Sequence, residues 1–246
     1  MTVGHRAGRR AGALARATIS LGTALSVLGV AIVALLDPPY IHAVLDAAGS
    51  ARILGLDQQA TYAVSDRTIH ELVFGPATFA FRVPAGGPRF YDAAEASHLH
   101  AASNLLHAFL VVAGLGVLAL VVGLVRYRRD EGAWQAVRGG ALWFAVAFAV
   151  VGLFFAVAFN TAFTLFHEIF FPEGNWEFNP ATAKMVQLYP TPFWEIISMT
   201  LAALVLVLCA AAWLLATARL RRIERAFMAE PATTERHGGS AGEAGR

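Results

Sequence analysis

Four apolar runs limit what this chain can fold into. Residues 17–36, 105–125, 141–159 and 196–217 are each 19 to 22 residues long and contain no Asp, Glu, Lys or Arg. Crossing the hydrocarbon of a bilayer takes about 20 residues at roughly 1.5 Å each, so every run has the length of a transmembrane helix. A buried helix of a soluble protein would need more polar chain around it than a sequence that is 57% hydrophobic and 15% charged supplies. The fold expected is an all-α membrane protein with four transmembrane helices.

Arginines orient it. Arg6, Arg9, Arg10 and Arg16 precede the first run, Arg126, Arg128, Arg129 and Arg138 join the second to the third, and Arg219, Arg221, Arg222 and Arg225 follow the fourth. Cytoplasmic loops collect positive charge, so these segments and both termini are expected inside. That leaves residues 37–104 as a small extracytoplasmic subdomain and 160–195 as an outer loop. Acids outnumber bases in both, by seven to four and four to one. The domain layout expected is a basic N-terminus at 1–16, a membrane domain at 17–225 and a small, polar, disordered tail at 226–246. The first run exceeds the 7–15 apolar residues of a signal peptide, and Asp37-Pro38-Pro39 is no small-residue cleavage site, so it reads as an uncleaved anchor. With a net charge of +2 and the arginines at membrane ends, no nucleic-acid partner is expected. The single Cys209 lies in the fourth run and excludes both an intramolecular disulfide and a cysteine-based metal site.

Within the outer subdomain, a short helix is expected over 40–48, stopped by Gly49-Ser50. Asp57 and Gln58 cap another, Ser65 heads a third that stops at Gly75-Pro76, and 79–83 pairs with 89–91 as a short hairpin. From Asp92 the chain keeps helical density without a breaker, so 92–125 reads as one helix whose first three turns rise above the membrane.

The outer loop carries the densest chemistry: FHEIFFPEGNWEFNPATAKMVQLYPTPFWE over 166–195. A polar, proline-punctuated segment cannot lie in hydrocarbon, where its backbone groups would go unpaired. Its aromatics suit a membrane surface. On the long helix, Glu95 and His98 are three apart and share a face, so the carboxylate can hydrogen-bond and orient the imidazole; a solvated ion pair at a helix end is the plainer alternative. His107, seven residues after His100, is either functional or a neutral packing histidine bonded to Ser or Thr. Glu95, His98, His167 and Glu168 form a conceivable metal set, although His167-Glu168 lacks the second histidine of HExxH. No G-x-S-x-G marks a nucleophilic serine.

Two segments, FYDAAEASHLH at 90–100 and the 166–195 loop, resemble the signatures of a bacterial four-span membrane family whose characterised members are lipoprotein intramolecular transacylases. The matches fall on Glu95, His98 and Leu99, then on Phe166, His167, Phe170, Phe171, Trp176, Phe178, Asn179, Pro180, Leu188, Tyr189, Pro190, Phe193 and Trp194. The family usually has an Asp at the position of Ala101 and acids at those of Asn179 and Ala183. The resemblance implies transfer of an acyl chain from a diacylglyceryl-modified cysteine to that cysteine's own amino group, at the outer face of the bacterial cell membrane. It assigns the acid–base roles to His98 and His167, with Glu95, Trp176 and Asn179 in support, no cofactor or metal, and a lipid-modified lipoprotein and membrane lipids as partners. The competing expectations are a non-catalytic membrane binding or assembly protein and a metal-dependent membrane hydrolase.

Overall fold

The computed structural model describes residues 11–83 and 85–228; the expectations for the far N-terminus and for the tail beyond 228 lie outside the described residues. The described chain is built from α1 (Ala13–Leu35), α2 (Pro38–Ala48), α3 (Ser50–Leu54), α4 (Gln58–Phe74), α5 (Ala93–Tyr127), α6 (Glu131–Val157), α7 (Phe159–Phe170), α8 (Lys184–Leu188) and α9 (Thr191–Met228). Four of these, α1, α5, α6 and α9, are long and apolar enough to cross a membrane.

The four long helices form a bundle in which α1 is central: it packs on α5, α6 and α9, while α6 and α9 pack on each other. Small residues permit the close approach. A Cβ on Gly22 would sit 2.8 Å from the Gly116 carbonyl of α5, and one on Gly140 of α6 would sit 2.6 Å from the Ser20 carbonyl of α1. Lipid tails are as apolar as leucine, so helices in a membrane gain most from backbone proximity of this kind.

Above one end of the bundle lies a separate core of Ile41, Val44, Leu45, Val64, Phe79 and Tyr91, among others, closed by Leu188 and Tyr189 from the later loop. Asp57 caps α4 by accepting from the Ala60 N–H, as its position suggests. Ser65 does not head a new helix, and α4 runs on without a break. The Ser65 side chain is fully buried and meets the Tyr189 hydroxyl at 3.1 Å, so it serves packing rather than capping. The expected hairpin shrinks to one bridge between Arg82 and Arg89. Its neighbours Phe79, Phe81 and Phe90 are drawn into the core instead, and the Glu71 carboxylate accepts the Phe79 N–H at 2.6 Å.

Helix α5 begins at a capping box. The Asp92 side chain accepts from the Glu95 N–H and the Glu95 side chain from the Asp92 N–H, which fixes where the helix starts and so where His98 stands. At its far end α6 stops at Ala158, whose backbone (φ −142°, ψ 49°) is not helical, and α7 starts afresh at Phe159. From the sequence, Phe159 and Phe163 belong to the end of the third span; the structure instead breaks the chain at Ala158 and sets them on a separate helix. Phe159, Phe163 and His167 recur every four residues and so line one side of α7.

Candidate active site

His98, in the second turn of α5, and His167, in the last turn of α7, are 69 positions apart in sequence, yet their rings face each other. The centroids lie 5.9 Å apart with 23° between planes. Both are buried, at 7% and 9% exposure. Phe171 at 4.7 Å and Phe178 at 5.8 Å wall the His98 ring, while Phe163 at 4.1 Å and Trp176 at 5.0 Å flank His167. Beyond Phe163 the aromatics continue as a ladder: Phe159 at 5.6 Å, then Phe155 a further 6.0 Å along.

The hydrogen bonds assign the proton on His167. Its Nδ1 lies 2.8 Å from the Phe163 carbonyl. A carbonyl only accepts, so Nδ1 carries the hydrogen and, in the neutral ring, Nε2 keeps a free lone pair. Burial among aromatics pushes the His167 imidazole below the usual histidine range, against the opposing pull of the Phe163 carbonyl. His98 stands before the apolar stretch that begins at 105, and burial lowers it too. The Asn175 side chain favours the protonated ring, and the neighbouring His167 disfavours it. His98 Nδ1 and Asn175 Oδ1 are nonetheless both buried and make no hydrogen bond. They are adjacent and chemically complementary. Nothing in the signature pointed to Asn175; the only clue was its place beside Trp176.

Glu95 lies elsewhere in the hydrogen-bond network than expected. One carboxylate oxygen accepts the Asp92 N–H at 2.9 Å and the other the Met185 N–H at 2.7 Å, so neither is given to His98. The i,i+3 spacing allowed the pair, but in the fold both carboxylate oxygens accept backbone N–H groups, from the helix's own start and from α8. Met185 is the second residue of α8, whose N-cap, Ala183, offers no side chain to its free N–H groups. Glu95 thus caps α8 from another helix and pins the 184–188 segment over the start of α5. Asn179 is exposed, accepts the Ala181 N–H at 2.9 Å, and shapes its own turn rather than touching either histidine. Trp176 does pack on His167.

The metal set does not assemble. Glu168 is exposed, Glu95 is engaged by backbone, and among the described residues no three His, Cys, Asp or Glu side chains converge closely enough to hold one ion. Two imidazoles remain, buried among aromatic side chains at the end of the bundle. One has a lone pair, the other an unused ring nitrogen. The arrangement can accept and deliver protons without bulk water.

The family model described as lipoprotein intramolecular transacylase Lit matches residues 18–194. Among solved structures, the chain is similar to the membrane integral lipoprotein intramolecular transacylase Lit from Bacillus cereus, at 19% identity and a TM-score of 0.69, covering 87% of this chain and 96% of that one. A variant of that protein with a histidine replaced by arginine matches at 17% identity and a TM-score of 0.69, over 87% and 93% of the two chains. One with a histidine replaced by alanine matches at 17% and 0.69, over 86% and 94%. At such identities the structures establish the shared fold. No curated protein sequence matches.

Proposed function

This chain belongs to the lipoprotein intramolecular transacylase Lit family, and from that premise we propose how its residues carry out the acyl transfer. The substrate is a lipoprotein whose N-terminal cysteine bears a diacylglyceryl group. Its α-amino nitrogen attacks the carbonyl of the sn-2 ester, the bond from that carbon to the glycerol oxygen breaks, and the acyl chain ends on nitrogen as an amide. The freed glycerol oxygen becomes a hydroxyl, giving the lyso form.

The proton inventory explains why two imidazoles are useful. An ammonium must lose two protons to become an amide N–H: one ends on the glycerol oxygen and the other leaves to solvent. His167, with its Nε2 lone pair free and its charged form disfavoured by burial, is the base toward nitrogen. His98 is the partner that holds a proton and returns it to the departing alkoxide, with Asn175 accepting from its Nδ1–H in the charged state. The observation that carries the reading is the facing His98–His167 pair. Nitrogen and leaving oxygen share one tetrahedral carbon, so two rings at this spacing can address both. Since nucleophile and ester belong to one molecule, holding them in attack geometry supplies much of the acceleration. The Phe155–Phe159–Phe163 ladder gives the migrating acyl chain an apolar track ending at His167.

The site faces outward in this reading, because the arginines gather at the opposite end of the bundle. Reporter fusions after Gly87 and Gly174 then read extracytoplasmic, and one after Arg129 cytoplasmic; the reverse pattern sinks the orientation. For the chemistry, the gene is expressed in a bacterium that makes diacylated lipoproteins, and one N-terminal lipopeptide is fragmented by mass spectrometry. Transfer leaves the total mass unchanged but moves an acyl group to nitrogen, which the fragments report. Unaltered diacylglyceryl peptide beside well-expressed protein favours a non-catalytic binding partner instead.

A further inference from the structure

The arginine-rich end of the bundle holds a cavity that acyl transfer does not use. It has a volume of about 450 Å³, lies where α1, α5, α6 and α9 come together, and is walled mainly by aliphatic side chains such as Val27, Leu120, Leu124 and Val137. The sequence of α9 creates it. Ala212, Leu215, Ala216, Arg219 and Arg222 fall at helical spacing and share one face. The alanines set the wall back, and the two arginines come last, at the bundle's end. From Ala212 to Arg222 the face runs about 15 Å at 1.5 Å per residue.

One of the arginines is held in place. The Arg219 guanidinium lies over the Trp134 ring, 5.5 Å from its centroid, and the Trp134 indole N–H donates to the Arg128 carbonyl at 3.0 Å. Neither Arg219 nor Arg222 has a carboxylate within ion-pair distance among the described residues. A held arginine with a second one turn further along the same face, neither paired with a carboxylate among the described residues, suits a ligand with an anionic head and a hydrocarbon tail.

We infer that this cavity binds an anionic glycerophospholipid from the leaflet at the arginine-rich end, with one acyl chain inside and the phosphate on Arg219 and Arg222. Guanidinium groups bind phosphate through paired N–H donors, and basic pockets between membrane helices suit anionic headgroups. A free phosphate leaves the aliphatic walls unexplained. A zwitterionic lipid fills the walls but sets an ammonium against the arginines.

The test is native mass spectrometry of the full-length protein released from nanodiscs holding equal amounts of phosphatidylglycerol and phosphatidylcholine with the same chains. One phosphatidylglycerol is retained, with a roughly tenfold preference over phosphatidylcholine. The double variant Arg219→Gln/Arg222→Gln brings the preference close to parity. The charge-matched control Arg221→Gln/Arg225→Gln, on the same helix but outside the cavity lining, keeps it. Dihexanoyl phosphatidylglycerol, which has the head but only short chains, competes weakly. Equal retention of the two lipids by the wild type overturns the inference. So does an equal loss in the control pair, which would mean bulk charge alone, and so does full competition by the short-chain lipid.

Discussion

Helix α5 carries three histidines in two kinds of surroundings. His100 and His107, seven residues apart and on one face, are fastened to the chain around the end of α4: His107 Nε2 donates to the Val73 carbonyl at 2.9 Å, and His100 Nδ1 meets the Ala77 carbonyl at 3.3 Å. His98 looks the other way, into aromatic faces and a second imidazole, and its Nδ1 is buried without a partner. The residue type and the helix are the same. What differs is the surface opposite. The last carbonyls of a helix have no partners within it, so the end of α4 takes up ring N–H groups that come near. Phenyl faces cannot. His107 has both ring nitrogens engaged, Nε2 by the Val73 carbonyl and Nδ1 by the Ser103 hydroxyl at 3.3 Å, whereas His98 keeps a buried nitrogen without a partner.

Paired substitutions test that contrast most strongly. His98→Gln and His167→Gln keep a polar group in place but remove the transferable proton, and each is expected to lower the rate of N-acyl formation by about 10²- to 10⁴-fold. His107→Gln keeps a donor for the Val73 carbonyl and is expected to leave the rate within a few-fold of wild type. His107→Ala lowers stability by about 1 kcal/mol. Single-turnover assays on purified lipopeptide in detergent, with thermal unfolding of the same samples, read both quantities. Equal rate losses at 98 and 107 would erase the distinction.

A smaller effect is expected at Glu95. If it positions α8 rather than His98, Glu95→Ala costs about 2–3 kcal/mol through two unpaired backbone N–H groups. Glu95→Gln keeps one acceptor, loses less, and leaves the pH dependence of the rate as in wild type. A changed pH profile in Glu95→Gln with unchanged stability would return Glu95 to the role that its spacing suggested.

The four long helices were legible because apolar length is a one-dimensional signal. The starts of α4 and α5 were legible from Asp57 and Asp92 because an N-cap acts on residues next to it in sequence. The juxtaposition of His98 and His167 came from the resemblance, since no spacing relates residues 69 apart. What could not be read was competition among partners. The Glu95–His98 spacing is compatible with a pair, but Met185, ninety residues later, occupies the carboxylate instead. Ser65 looked like a cap until Tyr189 buried it. Asn175 and the Phe163 carbonyl escaped because one depends on how a loop folds back and the other is backbone, which the sequence does not distinguish from residue to residue.

The finest test concerns the dryness of the cleft. Burial lowers both His98 and His167 from their ordinary values, and Trp176 covers one side of His167. Trp176→Ala admits water to that side and removes part of the desolvation that disfavours the imidazolium. The His167 titration midpoint is therefore expected to rise toward the ordinary value of about 6.5. In the proposed mechanism His167 acts as a neutral base, so activity is expected to be lost as pH falls through that midpoint, and the acid limb of the rate profile should move to higher pH by the same amount. The sign for stability follows. A histidine with a depressed folded value favours the fold above the ordinary value, and that contribution is lost as pH falls toward the folded one. In wild type, stability thus declines on acidification through this window, and in Trp176→Ala the part of the decline due to His167 shrinks. Nitrogen-15 NMR of labelled histidines, with His98→Gln and His167→Gln to assign the signals, measures the midpoint directly. An unchanged or lower midpoint in Trp176→Ala would show that the tryptophan does not keep His167 dry, leaving the phenylalanines as the desolvating wall.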